Sequence, residues 1–324
     1  MKHISILIPK GQYSIVNIAG SYQILNWAND AYFQQSRKKL FQIEFVGYAR
    51  PAKDFQGYYT VNPPRTIHEV EKTDLIIVPA VHGELAEAIE LNREVIQWMA
   101  QRYREGTRIA AFCIGAFLLA ETGILNGKKC STHWGHAREL QEMFPEIQVQ
   151  PEKIVTECDG IYSSGGAYAF TNLVIYLIEK YGGRQLALMT AKAFMIDVDK
   201  NNQSVFMVFN GQKSHHDKQM LKIQEHIEKN YGENLNTQTL ADIFFISRRT
   251  LERKFKAATG NSVLEYLQRV RVEAAKQAIE SNGQVADAMY AVGYNDSKAF
   301  REVFRKFVGI TPLEYRKKFS KVSA

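Results

Sequence analysis

Cations recur in two short runs late in the chain. The first is Arg248-Arg249-Thr250-Leu251-Glu252-Arg253-Lys254-Phe255-Lys256, and the second is Ser297-Lys298-Ala299-Phe300-Arg301-Glu302-Val303-Phe304-Arg305-Lys306. As helices, each turns its large apolar residues to one side: Leu251 and Phe255 in the first, Phe300, Phe304 and Phe307 in the second. The outer faces then carry Arg248, Arg249, Thr250, Glu252, Arg253 and Lys256, and Ser297, Lys298, Arg301, Arg305 and Lys306. Arg pairs bidentately with guanine, and Glu accepts from the cytosine amino group. Such faces suit the major groove of double-stranded DNA.

A shorter apolar-stepped helix precedes each run, with a tight turn between. Leu240 to Ser247 leads into the first, and Val285 to Tyr294, with Gly293 in the turn, leads into the second. Ser247 is expected to cap the first recognition helix, and Asp296 or Ser297 the second, by accepting from free amides of the first turn. Ser262 to Ser281 has helical periodicity, and roughly 20 residues at about 1.5 Å each span about 30 Å. That is close to one turn of B-DNA. A single unit of this kind would fit an ordinary amphipathic bundle as well; two with matching turns, caps and basic second helices favour tandem DNA readers.

The segment resembles the DNA-binding domain of the AraC/XylS family of transcription regulators. The resemblance rests on Gly293-Tyr-Asn-Asp, the spaced Phe300 and Phe304, Gly309-Ile-Thr-Pro312 and Tyr315-Arg316. It implies that Arg249, Glu252 and Arg253 face base edges. Glu302 stands where many members carry Arg, which leaves Arg301 or Arg305 to carry the charge.

The charge distribution agrees. The 324 residues carry a net charge of +7. From Lys213 onward there are 20 Lys+Arg against 13 Asp+Glu, whereas residues 1–212 hold 21 of each. The whole cationic excess lies with the stretch that would meet phosphates. A hydrophobic content of 45% with 23% charged residues is globular rather than disordered. No apolar run reaches membrane-spanning length. Cys113, Cys130 and Cys158 lack metal-ligand spacing, and their odd number with no signal peptide points to the reducing cytoplasm. His133 and His136 stand three apart without partner ligands, so neither a metal nor a cofactor is expected.

The first part alternates strands and helices. Strands are expected at His3 to Pro9, Phe41 to Tyr48, Asp74 to Pro79 and Arg108 to Phe112. Helices are expected at Val16 to Asn29, Ile89 to Tyr103, Ile114 to Gly123 and Tyr168 to Tyr181, with a hairpin or loop over Pro51 to Pro64. The pattern predicts an α/β layered, mostly parallel sheet with ligands at the carboxyl ends of its strands. An all-α tandem helix-turn-helix domain follows it. Domains are expected at 1–200 and 220–324, joined by a polar linker at 201–219. Val205, Phe206, Val208 and Phe209 form an apolar patch expected to close the first domain or serve a dimer.

Ala110-Ala-Phe-Cys113-Ile-Gly115 is a strand, a cysteine and a helix start, as in a nucleophile elbow. The helix start favours a thiolate and offers amides to an oxyanion. Ser131-Thr-His133-Trp134 is expected to end another strand near it. Ser163-Ser164-Gly165-Gly166, ahead of a helix, offers either an anion cradle or a plain turn.

Residues 1 to about 190 resemble the DJ-1/PfpI (class I glutamine amidotransferase-like) superfamily, which implies a flavodoxin-like sheet. The landmarks are Ile6 to Pro9, Leu75 to Pro79, Ala111 to Gly115, Thr132 to Trp134 and Asp159 to Gly166. Both resemblances together give the layout of the GlxA-like branch of AraC-family regulators. Hydrolase members place His after the Cys, an acid on the first helix and Gly-Gly after the third strand; here stand Ile114, Asn17, and Ala80 with Val81. A nucleophile without base or acid is weakly activated. The expectation is therefore a regulator and not an enzyme, with Cys113, His133, Ala80, Asn17 and Ser164 lining a pocket for a small-molecule effector. The rival reading is a cysteine-dependent hydrolase or glyoxalase with a DNA-binding tail. A homodimer is expected from family precedent, with RNA polymerase a candidate further partner.

Overall fold

Alternation across the pleat organises the first half of the chain. A computed structural model of the chain describes residues 1–48, 52–53, 60–199, 202–281 and 283–320. The chain divides into two compact units, one ending at Gln203 and the other beginning at Ser204.

The first unit contains β1 (Lys2–Ile8), β2 (Phe41–Gly47), β3 (Ala52–Lys53), β4 (Thr60–Val61), β5 (Arg65–Thr66), β6 (Leu75–Val78), β7 (Arg108–Phe112), β8 (Lys129–Cys130), β9 (Gln148–Val149), β10 (Val155–Cys158) and β11 (Ile161–Ser164). Its helices are α1 (Ile15–Ser36), α2 (Leu85–Leu91), α3 (Arg93–Arg104), α4 (Ala116–Glu121), α5 (Ala137–Met143), α6 (Phe170–Gly182) and α7 (Arg184–Ala193). Seven strands form one sheet in the order β10-β11-β7-β6-β1-β2-β5, parallel throughout except for the β10–β11 pair. The expected flavodoxin-like, mostly parallel sheet is what forms.

Successive side chains of a strand feed opposite cores. Leu75, Ile77, Ala110 and Phe112 join Ile4, Ile6 and Ile8 on the face covered by α1, α6 and α7. Ile76, Val78, Ile109 and Ala111 face the other way, toward α2, α3, α4 and α5. Ile6, Ile76 and Ile77 are fully buried, each worth roughly 1.5–3 kcal/mol relative to exposure. From β1 the sheet grows one way to β2 and the other way to β6 and β7. This reversal opens a crevice at the carboxyl ends of the strands.

Several boundaries differ from expectation. The helix expected from Ile89 to Tyr103 is two helices broken at Asn92. The buried Asn92 side chain accepts from Lys10 N at 2.8 Å and donates to Lys10 O at 3.0 Å and Ala88 O at 2.8 Å. A side chain that satisfies a distant backbone competes with the helix ladder. β8 is only two residues long and pairs with β9 outside the main sheet. The loop or hairpin expected over Pro51 to Pro64 lies partly outside the described residues; within them, Ala52–Lys53 pairs antiparallel with Thr60–Val61.

The second unit contains α8 (Lys218–Asn230), α9 (Thr237–Ile243), α10 (Arg248–Thr259), α11 (Val263–Glu280), α12 (Val285–Ala291), α13 (Ser297–Val308) and α14 (Pro312–Phe319). It has two cores joined by α11. Val263, Tyr266, Leu267 and Val270 pack with Met220, Leu240, Leu251 and Phe255. Val272, Ala275 and Ile279 pack with Met289, Phe300, Phe304 and Tyr315. The apolar patch from Val205 to Phe209 belongs to this unit and does not close the first one. Val205 is buried in the second core, Phe206 meets Phe319 edge-on at 6.0 Å, and Phe209 meets Tyr266 at 5.2 Å. Lys276 explains the attachment: it is almost fully buried, and its ammonium is satisfied by Met207 O at 2.6 Å and Glu273 at 2.9 Å.

Candidate functional site

The two helix-turn-helix units share one hydrogen-bonded frame. α9 ends as Ile246 N donates to Ala241 O at 3.0 Å, and α12 ends as Tyr294 N donates to Met289 O at 3.1 Å. Both bonds span five residues and place the residue between, Phe245 or Gly293, in the left-handed region. Capping follows. Ser247 Oγ accepts from Thr250 N at 3.2 Å, and Asp296 accepts from Lys298 N at 2.7 Å and Ala299 N at 3.1 Å. Asp296, rather than Ser297, is therefore the cap of α13. Each recognition helix ends on a left-handed glycine, Gly260 or Gly309.

The cores fix which faces are free. Leu251 and Phe255 are fully buried, as are Phe300 and Phe304 to within 2%. Val308 completes the second stripe; Phe307, expected inside, is half-buried beneath the Arg269 guanidinium at 4.6 Å. Arg248, Arg249, Glu252, Arg253 and Lys256 are exposed on α10, as are Ser297, Lys298, Arg301, Arg305 and Lys306 on α13. Thr250 is half-buried, with its hydroxyl 2.8 Å from that of Ser247. Arg248 and Glu252 pair at 3.0 Å across one turn, an exposed contact worth only about 0.3–0.5 kcal/mol, so both stay available to a partner. α11 has 18 residues, a length of about 27 Å at about 1.5 Å per residue.

In the first unit the carboxyl ends of the strands gather the other candidate residues. Cys113 follows β7 with φ +53°, a strained turn for a residue with a β-carbon. Two contacts hold it. Thr132 Oγ1 donates to Cys113 O at 2.9 Å, and Gly115 passes so close to β6 that a β-carbon there would lie 2.4 Å from Pro79 O. Burial pushes the Cys113 thiol up to about 11, against the smaller opposing pull of the Ile114 and His133 amides. A helix start that favoured thiolate is thus outweighed by desolvation.

His133 offers the thiol its backbone. Its Nδ1 accepts from Gly135 N at 3.1 Å, and its ring stacks on Trp134 at 5.2 Å. Burial, and then the neighbouring His136, hold it below the usual histidine range. His82 is lowered by the same two causes in the same order. Asn17 and Ala80 meet directly: Asn17 Oδ1 accepts from Ala80 N at 3.0 Å. The carboxamide thereby occupies the amide that an open crevice would offer to a ligand. Ser164 is fully buried beside Phe112 in register, and its hydroxyl has no hydrogen-bond partner among the described residues.

The sequence held no signal for Gln203. Its buried side chain donates to Thr132 O at 2.9 Å and Pro151 O at 2.8 Å and accepts from Gly166 N at 2.8 Å. Gly165 N donates to Ile154 O at 2.8 Å. The amides of Gly165 and Gly166 are therefore used internally, and this turn is no anion cradle. Among the described residues, no group of three or more His, Cys, Asp or Glu side chains could hold a metal, and no helix is long and apolar enough to cross a membrane.

Comparison with known proteins agrees with both halves. Residues 240–318 match the family described as a helix-turn-helix domain, and residues 32–179 match the DJ-1/PfpI family. The HTH-type transcriptional regulator GbdR of Pseudomonas aeruginosa is 24% identical over 306 residues, covering 94% of this chain and 81% of that protein. The HTH-type transcriptional regulator GlxA of Rhizobium meliloti is 23% identical over 218 residues, covering 66% of this chain and 67% of that one. A putative transcriptional regulator from Vibrio parahaemolyticus superposes with a TM-score of 0.53 at 23% identity, over 60% of this chain and 99% of its own. Drosophila melanogaster DJ-1beta does so at 0.51 and 16% identity, over 60% and 98%. At those identities the two structures speak for the fold alone. The chain thus joins a DJ-1/PfpI domain to an AraC-type helix-turn-helix domain, and relatives such as GbdR that span both halves are HTH-type transcriptional regulators, in keeping with a regulator of transcription rather than an enzyme.

Proposed function

We propose that the chain recognises promoter DNA through α10 and α13 and answers to a small molecule bound by its first unit. The observation that carries this reading is the pair of capped, cation-bearing helices in one repeated frame, each with its apolar stripe buried and its polar face free. Arg249, Glu252 and Arg253 read base edges from α10. Arg248, Thr250 and Lys256, with Ser297, Lys298, Arg301, Arg305 and Lys306 on α13, hold phosphates and register.

We place the effector at the carboxyl ends of β1, β6, β7 and β11, with Cys113, His133, Ala80, Asn17 and Ser164 as its candidate lining. Entry requires Asn17 to release Ala80 N or the half-exposed His133 to turn. Effector binding must favour one of two states to change DNA affinity. The protein acts in the cytoplasm as a homodimer and meets RNA polymerase at the promoter. In this reading the unit ending at Gln203 senses or dimerises and the unit beginning at Ser204, which takes in most of the expected linker, binds DNA.

Fluorescence anisotropy on a duplex selected from fragmented genomic DNA tests the central claim. Arg249→Ala or Arg253→Ala weakens specific binding by about 1–3 kcal/mol for each lost bidentate pair. Affinity of the parent falls linearly with salt on logarithmic axes. Equal affinity of parent and variants for the selected duplex refutes the assignment.

A further inference from the structure

Phe245 is 97% exposed and has φ +50°. Its neighbours on either side, Phe244 and Ile246, are half-buried against the first core. Phe244 also meets the His226 ring edge-on at 5.5 Å. Three apolar residues therefore stand in a row, and only the middle one is turned fully to solvent.

The second helix-turn-helix unit supplies the comparison. Ile246 N to Ala241 O and Tyr294 N to Met289 O close the same five-residue turn, so Phe245 occupies the place that Gly293 occupies. Glycine is the residue that suits a left-handed helix terminus. A bulky aromatic there is both strained and wet, and nothing in the turn requires it, since the sister turn forms without it. Strain kept at an exposed position points to function at that position.

Its surroundings identify the partner. Ser247, two residues on, caps α10, and Arg248 and Arg249 follow at once, all exposed. The amino-terminal end of a recognition helix is the end that reaches base edges. An apolar ring at the lip of that cationic end fits the one apolar feature of the major groove, the C5-methyl of thymine. We propose that Phe245 contacts a thymine methyl beside the bases read by α10, making it a specificity-determining residue outside the helix itself. This rests on the reading that α10 enters the major groove.

The test uses the full chain, with Phe245→Gly and Phe245→Asn, both of which tolerate the left-handed conformation. Binding is measured on the selected duplex and on the same duplex with deoxyuridine replacing thymidine, which deletes only the methyl. The variants are expected to melt no lower than the parent and to bind about fourfold more weakly, the loss for one buried methyl-sized group. Deoxyuridine should weaken the parent by a similar factor and leave the variants unchanged. The proposal is overturned if the variants bind like the parent, or if deoxyuridine weakens parent and variants alike. Failure of the parent to bind any duplex would instead overturn the underlying reading of α10.

Discussion

Alkylation of the cysteines separates a regulator that keeps an elbow from an enzyme that uses one. Thiolate is the reacting species. Burial moves the Cys113 thiol from its ordinary 9.0 up to about 11. At pH 7.5 an ordinary thiol is about 3% ionised, and one at about 11 is about 0.03% ionised. Rate should therefore fall about a hundredfold from ionisation alone, with a further loss because Cys113 is only 5% exposed. Cys130 is fully buried and also raised to about 11, whereas Cys158 is half-buried; the same thiols in the denatured chain serve as the reference. The assay is timed iodoacetamide labelling of the native chain, read peptide by peptide. Cys158, the more accessible, should label before Cys113, and Cys113 should label at least about a hundredfold more slowly than in the denatured chain, its rate still climbing tenfold per pH unit above pH 9. Because both thiols titrate higher folded than unfolded, their contribution to stability is complete below pH 9 and is lost between pH 9 and about 11. Unfolding by denaturant should ease over that window. Cys113 labelling at pH 7.5 as fast in the native chain as in the denatured one would refute the argument and restore the hydrolase alternative.

Three further outcomes follow from the geometry. Asp296→Ala should cost about 0.5–2 kcal/mol in chemical denaturation, while Ser297→Ala costs little, because the cap is Asp296; the reverse order would overturn that assignment. Gly115→Ala should cost about 1–3 kcal/mol by overpacking, since its β-carbon would lie 2.4 Å from Pro79 O, and an unchanged melting curve would contradict it. A fragment beginning at Ser204 should melt well above one beginning at Met220. The shorter piece loses buried Val205 and the carbonyl of Met207 that satisfies Lys276, a deficit of at least about 2 kcal/mol. Equal melting of the two fragments would show that the strap is passive.

The parts of the fold that could be read from the sequence are those set by neighbours in the chain. Unbroken apolar runs such as Leu75 to Val78 and the four-residue steps of Leu251 and Phe255 fix their own elements, and Ser247 caps its helix through an amide three residues away. What could not be read depends on partners remote in sequence. Asn92 breaks a helix because Lys10, 82 residues away, needs its carboxamide. Gln203 takes the amide of Gly166 from 37 residues on. The patch at Val205 to Phe209 is apolar wherever it packs, and its backbone bonds to the buried Lys276 and the half-buried Glu273 of α11 are what spacing along the chain does not reveal. Among the candidate effector residues, sequence grouped Asn17 with Ala80, and the two are in direct contact. That the contact satisfies the amide internally is a property of side-chain direction, which spacing does not carry.

The elbow is a shape without the neighbouring groups that would make its thiol reactive. Positive φ at Cys113 would ordinarily suggest strain held for catalysis. Here the neighbours account for it: Gly115 packs against the Pro79 backbone, and Thr132 clamps the Cys113 carbonyl. The positions that would supply reactivity hold other groups. Ile114 stands where a base would follow the cysteine, Asn17 bonds Ala80 N where an acid would stand, and His133 turns its Nδ1 to Gly135. Asn17 and His133 are thereby engaged with backbone amides rather than with the thiol. The result is a set of strand ends held by their own side chains, and a molecule entering there must exchange hydrogen bonds with Asn17 or His133. Under the proposed function, that exchange is the step by which effector occupancy would alter the structure around it.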